Sequence, residues 1–278
     1  MASDRRSANK SSGPRIALCT IAFRERLLED ALDMAAQLGF PGVELWGREP
    51  HVSENYDYNR TRLVRKMCEE RGLEIAALGS YVRFGTTRKN SDAAPLVDTL
   101  QTARTLRTPI VRVWASDVPS DQADEKLWKQ VIAEARDAAE RSKGLGITLA
   151  VEMHDDTLAD TADSALRLVE EVECDNFRLN FQPSAWQRDE DVLQRLEKVL
   201  PYVVHCHAQN FSKLATGEFD GFKRAPLRDG LLDYRAIIDK LLSAGYTGWI
   251  SVEFSPVEGD GKMKALADDL AFLRELLG

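Results

Sequence analysis

Two carboxylates, one imidazole and one side-chain amide occupy equivalent places in four short apolar runs. Glu152 stands in ITLAVEM (147–153), Gln182 in FRLNFQ (177–182), His207 in YVVHCHA (202–208) and Glu253 in WISVEF (249–254). Successive side chains of a strand point to opposite faces. On that spacing Ile147, Leu149 and Val151 share one face, and Glu152 ends the other. Likewise Gln182 opposes Phe177, Leu179 and Phe181, His207 opposes Val204 and Cys206, and Glu253 opposes Ile250, Val252 and Phe254. Each is the last polar residue of its run. Buried polar groups are costly unless they are paired or bind something. Oxygen donors with one imidazole, gathered at the ends of neighbouring strands, make a divalent-metal site. Mn²⁺ is the favoured ion; Mg²⁺, Co²⁺ and Zn²⁺ suit the same donors.

Other residues share the inward faces. Arg112 can pair with the buried acids or touch substrate. Trp46 and Trp114 can pack or form a wall for a sugar ring. His154 has the parity of Glu152 just past the strand end, and His51 follows the second run; both are expected to contact substrate. His205 lies one layer below His207, in a supporting position. Glu44 shares the face of Trp46 in GVELW (42–46). Lys223 and Arg224 read as a solvated charged pair in a long loop. Cys19, Cys68, Cys174 and Cys206 form no CxxC pair and have no adjacent base, so they are expected to pack as free thiols in a reducing, cytoplasmic setting.

Positioning these groups requires eight strands. Apolar runs at 15–20, 42–46, 74–80, 109–115, 147–153, 177–182, 202–208 and 249–254 alternate with amphipathic stretches at 25–38, 59–71, 93–106, 121–143, 162–172, 190–200, 233–244 and 262–277. Such alternation dictates parallel strands joined by helical crossovers. Eight repeats correspond to an α/β (β/α)8 TIM barrel, whose sites lie at the C-terminal strand ends, where the four residues fall. An open doubly wound sheet would place a glycine-rich phosphate loop after the first strand, where CTIAFRER stands. Gly39, Gly72, Gly144 and Gly245 are expected to end helices in the left-handed conformation. Asp121, Asp189 and Asp233 are expected to start them. Residues 15–278 form one barrel domain in this reading. Residues 1–14, MASDRRSANKSSGP, form a disordered tail without a secretory signal. No run approaches the roughly 18 apolar residues of a membrane span. With Lys plus Arg at 37 against Asp plus Glu at 45, the net charge of −8 argues against nucleic acid.

The ordered set of segments resembles the xylose-isomerase-like sugar isomerase/epimerase superfamily. HCHAQNF and PLRDGLLDYRAIIDKLLSAGYTGWISVEF are similar to that family's His-x-His strand, its Gly-Asp-Gly-x-x-Asp-Tyr segment and its final Gly-Tyr-x-Gly-x-x-x-x-Glu strand. LAVEMH and GVELW are similar to further family segments, so the resemblance runs from Arg15 to Gly278. It implies that Glu152, His207 and Glu253 are metal ligands. The family's fourth ligand is normally an aspartate, at the place of Gln182 in LNFQPSAW. Its histidine three residues later is replaced by Ala185, with Trp186 next. The ligand set then carries two negative charges instead of three, and should hold the ion less tightly while leaving it more electrophilic. The family also includes an endonuclease branch that uses three zinc ions and many histidines. The four histidines here (51, 154, 205 and 207) and the acidic balance exclude that activity.

The leading expectation is a sugar or ketosugar isomerase/epimerase that moves a proton beside a carbonyl through an enediolate, with Glu152 and Glu253 as base and acid. A metal-dependent lyase that cleaves a 3-keto-glycoside or C-glycoside by elimination needs the same groups. A non-catalytic sugar-binding subunit is the third reading. The expected partner is a small carbohydrate, with a homo-oligomer or partner subunit compatible.

Overall fold

The computed structural model describes residues 13–86, 94–184, 191–214 and 221–278. The tail expected over 1–14 lies outside them apart from Gly13 and Pro14, as do Ala185, Trp186 and the expected cap Asp189. The chain runs β1 (Arg15–Cys19), a 3-10 turn (Thr20–Phe23), α1 (Leu28–Leu38), β2 (Gly42–Trp46), α2 (Tyr58–Glu70), β3 (Glu74–Phe84), α3 (Leu96–Leu106), β4 (Ile110–Ala115) and α4 (Glu125–Lys143). It continues with β5 (Thr148–Glu152), α5 (Ala162–Val172), β6 (Phe177–Phe181), α6 (Val192–Val199), β7 (Val203–Ala208), β8 (Asn210–Lys213), β9 (Phe222–Ala225), α7 (Tyr234–Ser243), β10 (Trp249–Val252) and α8 (Lys262–Leu277). Strands β1 to β7 lie side by side, and β10 closes the circle between β7 and β1. All these pairings are parallel. This is the (β/α)8 barrel that the alternation requires.

Local signals set most boundaries. Thr161 and Ser164 form a reciprocal capping box at the start of α5. Asp233 caps α7 as expected, accepting from Ala236 N at 3.1 Å. The expected cap Asp121 is displaced by Asp124, which accepts from Leu127 N at 2.8 Å. Gly39 ends α1 with φ +84°. Gly144 is a correction: its φ is −64°, and the left-handed residue is Gly146, φ +69°. The turn tightens three residues after α4, because Gly146 is the position that leads the backbone into β5.

The outward faces and the helices share one contiguous apolar core, to which Val43, Leu45, Leu149, Val151, Phe177 and Leu179 all contribute. The lower lumen is filled by small residues around a few large ones. Ala17 and Ala76 pack with Trp249, and Ala77 and Ala150 with Ile110.

Two elements differ from expectation. Strand β3 runs to Phe84 rather than stopping near residue 80, with a break in register against β4 between Gly79 and Arg83. The loop after β7 contains an antiparallel ribbon, β8 with β9, which carries Lys223 and Arg224. Lys223 is exposed there. Arg224 is half-buried, with its guanidinium carbon 3.6 Å from the centre of the Phe254 ring. Among the described residues no helix is long and apolar enough to cross a membrane.

Candidate metal centre

Strand register brings the four residues to one level. Glu152 pairs with Asn180 across β5 and β6, and His207 with Ser251 across β7 and β10. Gln182 follows β6 directly. Glu253 follows β10, its N–H bonded to the Ala208 carbonyl at 3.1 Å. All four side chains are buried, and Glu253 is the most open at 8% exposure. His207 Nδ1 faces the group, 4.0 Å from Glu152 Oε2 and 3.7 Å from Glu253 Oε2. The Gln182 amide lies among them, its Oε1 2.6 Å from His207 Nδ1.

That amide has two ways to be satisfied. With its nitrogen turned inward it donates to His207 Nδ1, Glu253 and Glu152 at 2.6, 3.2 and 3.1 Å. With its oxygen turned inward it completes a ring of acceptors that calls for a cation. Glu152 Oε2 adds a second sign. Arg112 Nη1 sits 2.9 Å from it as an ion pair, yet the oxygen has no aligned hydrogen bond among the described residues. Charge gives a third. Glu44, Glu152 and Glu253 are buried carboxylates, and Arg112 is the buried guanidinium among them. With both imidazoles neutral, as metal ligation of His207 requires, the surplus is two negative charges, which a divalent cation neutralises. Glu152, His207 and Glu253 are also grouped closely enough to share one ion. The residues present therefore fit a divalent metal.

Glu44 lies beneath His207. Both its oxygens are 3.1 Å from His207 Nε2, and Oε2 is 2.8 Å from His205 Nε2. Ser251 Oγ is 3.0 Å from the same His205 nitrogen. Gly79 makes room for this contact. A Cβ there would stand 3.0 Å from Glu44 Oε1 and 3.3 Å from Arg112 Nη2. Burial disfavours the Glu44 carboxylate, but the two imidazoles outweigh it and hold its pKa well below the usual range. Burial also opposes a charge on His207. The carboxylates of Glu44, Glu253 and Glu152 overcome this and push its pKa up to about 10. Burial raises the Glu253 pKa, against the pull of His207.

The remaining candidates separate. Trp46, Trp114 and an unforeseen Tyr81 form a wall. Trp46 Nε1 donates to Tyr81 Oη at 3.0 Å, and the Tyr81 and Trp114 rings stack with centres 6.2 Å apart. Arg112 lies over both, 5.0 and 4.6 Å from the ring centres. The break in β3 turns Tyr81 to this position, and an alternation rule applied to 74–80 stops short of it. His154 is half-buried against Trp114, with ring centres 5.2 Å apart. Its Nδ1–H donates to the Asp155 carbonyl at 2.7 Å, so the neutral ring carries its lone pair on Nε2. His51 is held by the protein itself. Its Nε2–H donates to the Arg26 carbonyl at 3.2 Å and its Nδ1 accepts from Thr20 Oγ at 2.9 Å. Burial lowers its pKa. The structure thus places His51 as a tie between the loops after β1 and β2, its ring edge-on to Trp46 with centres 5.4 Å apart.

A sequence model of the xylose isomerase-like TIM barrel matches residues 32–276. The chain belongs to this family. A 3-dehydroshikimate dehydratase of Bacillus anthracis is 24% identical, over 82% of this chain and 86% of its own length. A 2-oxo-tetronate isomerase of Haemophilus influenzae is 26% identical, over 85% of this chain and 91% of its own. Among solved structures, the probable 3-DHS dehydratase involved in petrobactin synthesis from B. anthracis superposes with a TM-score of 0.75 at 22% identity, covering 94% of this chain and 98% of that one. A xylose isomerase-like TIM barrel protein from Mycobacterium smegmatis, in complex with magnesium, gives a TM-score of 0.67 at 21% identity, covering 94% and 96%. These xylose isomerase-like relatives include isomerases and dehydratases, so an enzyme of this sugar-processing family is the supported class.

Proposed function

We propose that the chain abstracts a proton beside the carbonyl of a polyhydroxylated keto compound and then eliminates the neighbouring hydroxyl as water. The observation that carries the proton abstraction is the convergence of Glu152, Gln182, His207 and Glu253 around one buried acceptor ring. These four would hold the ion, with Mn²⁺ or Mg²⁺ suited to three oxygen donors and one imidazole. When bound, a divalent ion supplies Lewis-acid polarisation of the substrate carbonyl, which acidifies the adjacent C–H bond.

His154 is the base in this reading. Its Nδ1–H is fixed on the Asp155 carbonyl, so Nε2 takes the proton. The electron pair of the broken C–H bond forms the new double bond, and the hydroxyl on the next carbon departs. The proton on His154 is then handed to that hydroxyl, which leaves as water. Arg112, 2.9 Å from Glu152 Oε2, holds that carboxylate in place as a ligand. Trp46, Tyr81 and Trp114 flank a substrate ring or chain. The pairing of Glu152 with Arg112 favours elimination over a two-carboxylate exchange, because the guanidinium occupies an oxygen that such an exchange would need. The dehydratase at 24% identity supports the same outcome.

Isomerisation or epimerisation is the second reading. It is favoured by the 2-oxo-tetronate isomerase relative and by the burial that raises the Glu253 pKa. There Glu152 and Glu253 exchange protons on the substrate.

One experiment separates them. The protein with Mn²⁺ or Mg²⁺ is incubated in deuterated water with 3-dehydroshikimate, 2-oxo-tetronate and ketosugars, and products are weighed by mass spectrometry. Loss of one water supports dehydration. Unchanged skeletal mass with deuterium uptake assigns isomerisation. No turnover and no exchange across the panel sinks both and leaves a binding subunit. His154→Ala should lower kcat for elimination by at least about 10²-fold.

A further inference from the structure

The ligand set contains a neutral amide, yet the buried charges still sum to what a divalent ion needs. The third carboxylate is Glu44, one hydrogen bond removed. We infer that Glu44 is the positioning residue of the metal centre. It fixes His207 as the Nε2–H tautomer, so that the Nδ1 lone pair is the metal ligand, and it supplies through that ring the negative charge that Gln182 does not. This rests on the metal-centre reading above.

An ionised carboxylate accepts hydrogen bonds and cannot donate them. Both Glu44 oxygens lie 3.1 Å from His207 Nε2, so the single N–H of a neutral His207 belongs on that nitrogen. The other nitrogen, Nδ1, is the one that faces Glu152, Gln182 and Glu253. The group at Nδ1 is the Gln182 amide, which with its nitrogen turned inward donates to that lone pair at 2.6 Å. Asn180 Nδ2 lies 3.4 Å from Nδ1 and 3.2 Å from Nε2, so it singles out neither nitrogen. Glu44 is itself held. His205 Nε2 bonds its Oε2 at 2.8 Å, Ser251 Oγ braces that nitrogen, and Gly79 leaves no side chain to push it aside. A carboxylate behind a metal-bound imidazole makes the ring a stronger donor and orients it.

Glu44, His205 and His207 are also close enough to be read as a second metal site. The 2.8 and 3.1 Å separations are direct hydrogen bonds, which leave no space for an ion between these atoms. One ion per chain is therefore expected.

The test measures binding rather than turnover. Purified full-length chain is titrated with Mn²⁺ and with Zn²⁺ by calorimetry, beside Glu44→Gln, Glu44→Asp and His207→Ala. Expected are one ion per chain, a loss in affinity of about 10- to 100-fold for Glu44→Gln, and partial recovery in Glu44→Asp. Long-range proton–nitrogen NMR of the Zn²⁺-loaded wild type should show His207 bound through Nδ1 and protonated on Nε2. This needs no variant to fold. Wild-type affinity in Glu44→Gln, metal on His207 Nε2, or two ions per chain with one lost in Glu44→Gln would each overturn the inference while leaving a metal centre in place. No metal bound by the wild type would overturn both.

Discussion

The two faces of strand β5 are built on opposite principles. Leu149 and Val151 point outward into the shared apolar core, and both are fully buried. Ala150 and Glu152 point inward, where a carboxylate faces a guanidinium and the proposed ligand set. The outward face gains stability in proportion to the area it removes from water. The inward face carries buried charges whose mutual attraction offsets desolvation only if every partner is present. Stability and chemistry are thus separated by a single residue of register. The small inward residues Ala77, Gly79 and Ala150 are where the charged groups find their space.

Phe177→Ala on the outward face should cost about 3–5 kcal/mol by denaturant unfolding, with metal affinity per folded molecule unchanged. A large change in affinity would break the separation. Arg112→Met on the inward face strips Glu152 of its partner and should destabilise the metal-free protein by about 3 kcal/mol. Added Mn²⁺ should return more of that loss than it adds to the wild type, read as the shift in Tm. An equal shift in both would mean that guanidinium and cation do not share Glu152.

His207 gives the pH dependence. In the metal-free protein burial opposes its charge, but three carboxylates hold its pKa up near about 10, above the unfolded value near 6.5. Its contribution to stability is complete below about pH 6.5 and is lost as pH rises toward 10. Metal affinity should climb over the same window, because the ion displaces that proton. Stability flat over this range in metal-free protein would contradict a protonated His207. The smallest effect is expected far from the lumen. Thr161→Ala removes the cap of α5 and should cost about 1 kcal/mol while leaving affinity untouched.

Much of this was legible in the residues alone. Period-two alternation marks eight strands and puts Glu152, Gln182, His207 and Glu253 on inward faces, since it needs only local spacing. Glu44 was legible as an inward residue but not as a partner. Its role arises across the closed barrel, from β2 to β7, and no local pattern reports which residues meet there. Tyr81 was hidden by the register break in β3, which ends simple alternation after Gly79. His51 shows the converse. A loop histidine near a site reads as a ligand contact, but its two nitrogens answer to Thr20 and Arg26. The ribbon of β8 and β9 lacks the apolar run that betrays a buried strand, because Ser212, Lys213 and Lys223 leave it partly in solvent.

Strand β10 lies between β7 and β1, and Glu253 follows it directly. The first strand made on the ribosome must therefore wait for the last before the circle can close. Until β10 emerges, β1 and β7 each lack a neighbour, and one of the two proposed carboxylate ligands, Glu253, is missing. A nascent chain halted after α7 should hold a divalent ion poorly, and metal uptake should begin only once β10 and Glu253 have emerged. Pairings that join the two ends of a chain are slow to form. By the same wiring, a cut before β10 removes Glu253 while leaving α1 to α7 in the chain.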